Sequence, residues 1–265
     1  MSVPARALGY RPDPPKRPDQ RPDLDARAKL RAGPIPYRAS NRHLVLSVLD
    51  QGGIGSCVAN AVMQAVRASQ VRLGAVNPEL GSRLWTYYLA RASHNEQNED
   101  NGTYIRAAFA ALVALGFPPE SAWPYSDAPG AYAVPPPPGV VTAAYDQRAP
   151  TEYHRIFDTG SARVDAVKLA LSQGFLICFG SPVSMRFAAN DIGSGPLLPP
   201  INEPIAGGHA QVLVGYAGDE FDALNSWGEG WGHGGYWTMS RDFLEWPELE
   251  DVWLVEAAPS FSEAA

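Results

Sequence analysis

The chain has 265 residues, of which 45% are hydrophobic and 18% charged, and it contains two cysteines. This composition excludes a disordered or collagen-like chain, and two cysteines exclude a disulfide-dense scaffold or a zinc site built on several thiolates. The first 50 residues hold ten Lys or Arg and five Asp, a net charge of +5, so the remaining residues carry −12 of the total −7. A basic N-terminal segment therefore precedes an acidic body.

Residues 1–47, here called the arm, are rich in proline and contain Arg-Pro-Asp three times. Proline fixes φ and lacks an N–H donor, so we expect the arm to be extended, and alone it cannot bury enough apolar surface to order itself. Three roles are open: a solvated tail, a short pro-segment or strap across part of a cleft, and a site for phosphate-bearing partners. The alternating charge of the repeat argues against a nucleic-acid or nucleotide ligand.

The sequence shows no pattern typical of a signal peptide or of a membrane-spanning segment. Residues 1–12 contain no apolar run of signal-peptide length, and no stretch approaches 18 apolar residues. We therefore expect a cytoplasmic protein without a membrane partner. Export by a route that uses no cleaved signal stays an alternative.

Residues 48–139 are predicted to form a helical half. Three glycines lie in the six positions before Cys57, and from Cys57 onward apolar residues recur at helical spacing. This pattern predicts a helix of about four turns that begins near Cys57, with Ser56 as its N-cap. Two further helices are predicted near residues 78–93 and 103–115, followed by a stiff proline connector at 135–138.

Residues 140–265 are predicted to form a β-rich half. After a short helix at 164–172, several apolar runs are of strand type. These predicted strands are residues 174–180, 210–216, 221–226, 235–239 and 252–255. A helical half followed by a β-rich half predicts an α+β fold with a cleft between the halves.

Three polar residues are candidates for chemistry. A cysteine at a helix N-terminus, such as Cys57, is predicted to have a lowered thiol pKa, because unpaired N–H groups stabilise the thiolate. His209 follows two glycines at the start of an apolar strand and could exchange a proton with the Cys57 thiol. The Asn225 amide could orient the imidazole of His209. The alternatives are that Cys57 is a buried small residue, that His209 is a structural histidine and that Asn225 caps a strand. Cys178 lies in an apolar strand and is assigned to core packing.

Segments 51–57 (Gln-Gly-Gly-Ile-Gly-Ser-Cys), 208–210 (Gly-His-Ala) and 225–228 (Asn-Ser-Trp-Gly) resemble the motifs of the papain family of cysteine peptidases. In that family, His and Asn lie roughly 130–150 residues after the Cys. Here the intervals are 152 and 168 residues. The resemblance extends over about residues 48–240. It implies a two-lobed fold with a helical left lobe, a β-barrel-like right lobe and the active-site cleft between them.

The resemblance also implies roles for individual residues. Cys57 would be the nucleophile that forms a covalent acyl-enzyme, His209 its proton partner, and Asn225 the residue that orients His209. The Gln51 side chain and the Cys57 backbone N–H would form the oxyanion hole. The residues implied for substrate binding are Gly102, Thr103, Gly208 and Trp227. No metal or organic cofactor is implied, and the expected partner is a peptide or protein substrate.

Two departures from the family pattern refine this expectation. Ile54 stands where secreted members have a disulfide cysteine, which fits a reducing compartment, and the arm is shorter than the usual helical pro-domain. The chain therefore resembles the compact bacterial members, and we expect a cysteine-type peptidase, acting as an endopeptidase, whose arm contacts the cleft. The rival functions are another Cys-His acyl-transfer enzyme, such as an amidase or a transglutaminase-like protein, and a catalytically silent peptide-binding protein.

Overall fold

The computed structural model describes residues 7–15, 23–146 and 151–258. The middle Arg-Pro-Asp repeat, at 17–19, lies outside these residues, as do the outer ends of the predicted arm and β-rich half. Within them, helices and an eight-stranded sheet combine into the α+β fold that the sequence predicts. None of the described helices is long and apolar enough to cross a membrane.

The helical half contains α1 (Cys57–Arg72), α2 (Arg83–Ala92) and α3 (Ile105–Leu115). The second helix begins later than predicted because Ser82 caps it, its Oγ accepting a hydrogen bond from the Trp85 backbone N–H at 3.3 Å. The third ends as predicted at Gly116, whose φ of 72° lies in the left-handed region that favours glycine.

Ser56 does not act as the side-chain N-cap that the sequence predicts. Its Oγ makes no capping bond to the first turn of α1 and lies 2.5 Å from the Tyr125 hydroxyl. That hydroxyl in turn donates to the Gln51 carbonyl at 2.7 Å. Ser56 and Tyr125 therefore fasten the glycine-rich loop to the body.

The β-rich half supplies most of the sheet, which has the order β1-β3-β8-β4-β5-β6-β7, with β2 paired to β5. The strands are β1 (Leu24–Asp25), β2 (Arg38–Ser40), β3 (Thr151–Arg155), β4 (Ile177–Ser184), β5 (Ile205–Ala217), β6 (Glu220–Leu224), β7 (Tyr236–Ser240) and β8 (Glu250–Ala257). The remaining helices are α4 (Pro138–Asp146), α5 (Gly160–Ser172), α6 (Met185–Ala188) and α7 (Arg241–Glu245).

Six of these elements were not predicted, namely β1, β2, β3, α4, α6 and α7, and the physical reason is clear for two of them. β3 has the sequence Thr-Glu-Tyr-His-Arg, which lacks an apolar run because most of its side chains are only partly buried. α4 begins at the last proline of the predicted connector, a residue whose fixed φ suits a first helical turn.

The arm takes part in the sheet through two short strands. β1 pairs in parallel with β3, and β2 pairs antiparallel with β5. A third described segment of the arm, residues 7–15, passes between the halves, where Tyr10 forms a parallel bridge with Thr103. The arm therefore contacts both halves of the protein.

The core lies on both faces of the sheet, because successive strand residues point to opposite sides. Cys178 and Val212 pack with α1 and α3 on one face, whereas their neighbours Ile177 and Leu213 pack with α5 on the other. Cys178 is fully buried, in keeping with its assignment to core packing. Helix α1 is buried on nearly all sides because it packs between the sheet and the other two helices.

Candidate active site

Cys57 is the first residue of α1 and is fully buried. Burial raises the pKa of its thiol to about 11, and hydrogen bonds from the backbone N–H groups of Ala210 and Gly9 only partly offset that rise. The lowered thiol pKa that the helix start predicts is therefore not found in this state. The physical reason is the loss of water around the buried sulfur.

His209 lies on β5 and pairs with Asn225. Its Nε2 is 2.7 Å from Asn225 Oδ1, which also accepts the Ser226 backbone N–H at 2.7 Å. Because a carbonyl oxygen only accepts, the imidazole hydrogen sits on Nε2 and leaves Nδ1 as the basic nitrogen. Within the described residues Nδ1 has no hydrogen-bond partner. Burial lowers the pKa of His209 to about 4, although the bond to Asn225 opposes this.

The hairpin of β5 and β6 explains why His209 and Asn225 meet. Val212 lies opposite Leu224 in the antiparallel register. Residues just before Val212 and just after Leu224 therefore reach the same edge of the sheet. Trp227 stacks on the imidazole, with ring centroids 4.4 Å apart and planes at 25°, and so covers the His209–Asn225 bond on one face.

Gln51 is held by a residue that the sequence analysis did not single out. Its Oε1 accepts a hydrogen bond from Ser226 Oγ at 2.7 Å, and its Nε2 donates to the carbonyls of Ile54 and Ala7 at 3.1 and 3.0 Å. Ser226 thus orients the amide so that an N–H points into the cleft. The position of Ser226 between Asn225 and Trp227 was the one feature of the sequence that pointed to a role in the site.

The arm occupies the cleft at the predicted substrate-binding residues. The Thr103 N–H donates to the Gly9 carbonyl at 2.8 Å, and the Thr103 carbonyl accepts from the Arg11 N–H at 3.0 Å. On the other side, the Gly208 carbonyl accepts from the Tyr10 N–H at 3.1 Å. An extended segment therefore pairs with both walls.

Gly102 and Gly9 make this close approach feasible. A Cβ at Gly102 would lie 2.1 Å from the Gly9 carbonyl oxygen, and a Cβ at Gly9 would lie 1.8 Å from the Gly55 carbonyl oxygen. Neither position leaves room for a side chain while the arm is in the cleft. Of the eight residues predicted for the site, Gly102, Thr103 and Gly208 thus contact the arm, as does Gln51.

Asp251 was missed by the sequence analysis. Its carboxylate accepts from the Tyr10 hydroxyl at 2.8 Å and from the Asp13 backbone N–H at 2.6 Å, and it pairs with Arg155 at 2.6 Å. An aspartate in a strand near the C-terminus carries no local signal for such a role. Among the described residues, no group of three or more His, Cys, Asp or Glu could hold a metal ion.

The chain is also similar to known proteins. Residues 35–252 match the model of the papain family cysteine proteases. An uncharacterized peptidase C1-like protein of Acanthamoeba polyphaga mimivirus is 32% identical over 223 residues, which are 80% of this chain and 70% of that protein. Xylellain, a cysteine protease from Xylella fastidiosa, is 28% identical, with a TM-score of 0.79 over 97% of this chain and 99% of its own. The bromelain protease from Ananas comosus shares the fold, with 19% identity and a TM-score of 0.65 over 85% of this chain and 100% of its own.

Proposed function

Because this chain belongs to the papain family of cysteine peptidases, we propose that it hydrolyses peptide bonds with Cys57, His209 and Asn225 as its catalytic residues. The chain is a cysteine-type peptidase with the two-lobed papain-like fold. The observation that carries the residue assignment is the 2.7 Å bond between His209 Nε2 and Asn225 Oδ1, which leaves Nδ1 as a base. Its expected substrate is a peptide or protein.

In the proposed reaction, Nδ1 of His209 takes the thiol proton and the Cys57 sulfur attacks the substrate carbonyl carbon. The C–N bond then breaks as the imidazolium gives its proton to the leaving amine, and an acyl-enzyme remains. Water, deprotonated by His209, attacks the thioester carbonyl, and the thiol is regenerated as the acid leaves. Asn225 and Trp227 act through His209 by fixing its ring and tautomer.

Gln51 is proposed to stabilise the oxyanion together with the Cys57 backbone N–H. The bond from Gln51 Nε2 to the Ala7 carbonyl supports this role, because a carbonyl oxygen already occupies the position that the amide faces. One such donor typically contributes about 2.7–4 kcal/mol to transition-state stability. Ser226 positions the donor and does not touch the substrate.

The arm is proposed to occlude the cleft, as a strap that must leave before a substrate enters. Its pairing with Thr103 and Gly208, and the approach of Gly9 to the Cys57 sulfur, support this role. The buried, uncharged forms that the shifted pKa values of Cys57 and His209 favour would also keep the occluded enzyme unreactive. Departure of the arm would readmit water and favour the thiolate–imidazolium pair.

Covalent labelling of the full chain by a peptidyl epoxide tests the catalytic assignment. We expect Cys57 to be alkylated and Cys178 to be spared, and Cys57→Ala to abolish both labelling and hydrolysis of a fluorogenic peptide. Absence of labelling and of hydrolysis, both in wild type and in a variant whose arm cannot dock, would overturn the peptidase function. Labelling without hydrolysis of any peptide would favour the silent binding protein, and transfer of the acyl group to an added amine would favour the transglutaminase-like alternative.

Gly9→Ala in the full chain tests the arm. The added methyl group would overlap the Gly55 backbone, so the arm cannot dock and we expect the labelling rate to rise by about tenfold or more, which is a docking loss of at least about 1.4 kcal/mol. Gly33→Ala is the matched control, because a Cβ at this arm position meets nothing within 4 Å. Equal labelling rates for Gly9→Ala and Gly33→Ala would contradict occlusion.

A further inference from the structure

Arg106, in the first turn of α3, pairs with the arm. Its guanidinium lies 3.2 Å from an Asp23 oxygen and 3.7 Å from an Asp13 oxygen, and donates to the Pro14 carbonyl at 3.0 Å. Among the described residues, the carboxylates that pair with Arg106 all belong to the arm. When the arm residues that carry Asp13 and Asp23 move away, this cation therefore loses its carboxylate partners.

Arg155, on β3, lies beside the same group. Its guanidinium is 2.6 Å from Asp251 and 3.9 Å from both Asp13 and Asp23. Outside the arm, this cluster thus consists of two guanidiniums and one carboxylate, a net charge of +1. The side chains of Arg106 and Arg155 stay 17% and 21% exposed with the arm in place, so an incoming peptide can reach them once it leaves.

The arm places two buried carboxylates in the cluster, and the charges below are those of the described residues alone. The side chains of Asp13 and Asp23 are 0% and 4% exposed, and with both ionised the group would carry a net charge of −1. Burial, and then the charge of Asp251, raise the pKa of Asp13 above its ordinary range, although Arg106 and Arg155 oppose this. An occupant with a single carboxylate would instead leave two cations opposite two anions.

The Tyr10 side chain links the substrate-binding walls to the cluster. The Tyr10 ring enters beside Gly180, where an added Cβ would lie 2.0 Å from the ring, and its hydroxyl reaches Asp251. Tyr10 is the arm residue whose backbone pairs with Gly208 and bridges to Thr103. A peptide paired with the same two walls would direct side chains toward the same cluster.

We propose that Arg106, supported by Arg155, forms a subsite that selects substrates with an acidic side chain near the cleaved bond. The inference rests on the proposed peptidase function and adds a substrate class to it. The arm fills the subsite with its own aspartates. A guanidinium binds a carboxylate through charge-assisted hydrogen bonds, which are stronger than those between neutral groups.

Matched peptide pairs test the subsite. Each pair carries Asp or Asn at one position, and the pairs together cover positions on both sides of the cleaved bond. The value of kcat/KM is measured with the full chain as wild type and as Gly9→Ala. Because an occluding arm slows both peptides of a pair equally, the Asp/Asn ratio is independent of arm occupancy. We expect a ratio of about ten at one position, the scale of one hydrogen bond to a charged group.

Three variants of the full chain assign the preference to its residue. Arg106→Gln should bring the ratio close to one, and Arg106→Lys should retain part of it. Arg241→Gln is the matched control, since this arginine pairs with Glu245 on α7 and should keep the full ratio. A ratio of one at every position in cleaved peptides, or equal loss of the ratio in Arg241→Gln, would overturn the subsite alone. Failure to cleave any peptide or to label Cys57 would overturn the peptidase function and the subsite with it.

Discussion

At the scale of single residues, the surroundings of Cys57 and His209 matter as much as their identities. Both are fully buried with the arm in the cleft, and burial moves the thiol pKa up and the imidazole pKa down. Each shift favours the uncharged form. The state with the arm in the cleft therefore opposes the thiolate–imidazolium pair that the proposed acyl transfer needs.

The contact between Ser226 and Gln51 predicts graded losses of activity. We expect Gln51→Ala to lower kcat/KM by roughly 100- to 1,000-fold, because one oxyanion donor is lost. Ser226→Ala should cause a smaller fall, mainly in kcat, because the donor remains but loses the hydroxyl that orients it. Steady-state hydrolysis in the Gly9→Ala background measures both.

Ser172→Ala, at the last residue of α5, is the control for removal of a hydroxyl group and should leave kcat unchanged. A loss in Ser226→Ala that appears only in KM would argue against a role in orienting Gln51.

At the scale of secondary-structure elements, the arm is fastened by pieces of very different kinds. Residues 7–15 pair with cleft walls, whereas β2 joins the sheet beside β5 and is followed by the buried Asn41. Asn41 Nδ2 donates to the carbonyls of Leu171 and Phe175 at 2.9 and 3.3 Å, which ties the chain after β2 to the turn between α5 and β4. Release of the cleft segment therefore need not detach β2.

Asn41→Ala is predicted to destabilise the fold without opening the cleft. Removal of the amide leaves the Phe175 carbonyl without this donor, whereas the Leu171 carbonyl still accepts from the Gly174 N–H at 3.1 Å. We expect a cost of about 1–3 kcal/mol in the free energy of unfolding. Urea denaturation measures this loss. The exposed Asn202→Ala should change stability by no more than about 0.5 kcal/mol. If the epoxide-labelling rate of Asn41→Ala rises as much as that of Gly9→Ala, the attachment after β2 and the attachment of residues 7–15 are not independent.

At the scale of the whole molecule, the opposite net charges of the arm and the body explain only some of the contacts between them. Arm cations do pair with body carboxylates, as Arg11 does with Glu96 at 2.5 Å and Lys29 with Glu256 at 2.5 Å. At the cleft, the polarity is reversed, because the arm contributes Asp13 to a site where the body holds arginines. Net charge therefore does not describe the contact closest to the chemistry.

This reversal predicts a pH-dependent difference between wild type and Asp13→Asn. The groups that face Asp13 are Tyr10, Asp23, Arg106, Arg155 and Asp251. Because the folded-state pKa of Asp13 is raised, its contribution to stability is fully present below the ordinary aspartate pKa of about 4 and is lost as pH rises above it. Asparagine stays neutral, so the Tm of Asp13→Asn minus that of wild type should increase with pH. A difference that is constant from pH 5 to 9 would contradict the buried, proton-dependent contact.

Much of the body follows from local patterns in the sequence. Where one face or both faces of a helix or strand are buried, apolar residues recur at fixed intervals in the sequence. The helical spacing after Cys57 and the apolar runs of β4, β5 and β8 are such patterns. The misses have equally local causes: β3 lacks an apolar run, and the Ser56 hydroxyl bonds to a distant tyrosine instead of the helix end.

The sequence by itself determined the family, the fold class and the candidates for chemistry, because the proposed nucleophile, base and orienting amide lie in short motifs whose order is readable. The tertiary structure alone decided what lies in the cleft and which side chains meet there. Arg106, Arg155 and Asp251 come from three separate elements and face arm aspartates from a proline-rich segment without periodicity. Such charge clusters depend on the path of the whole chain, so no local pattern in the sequence records them.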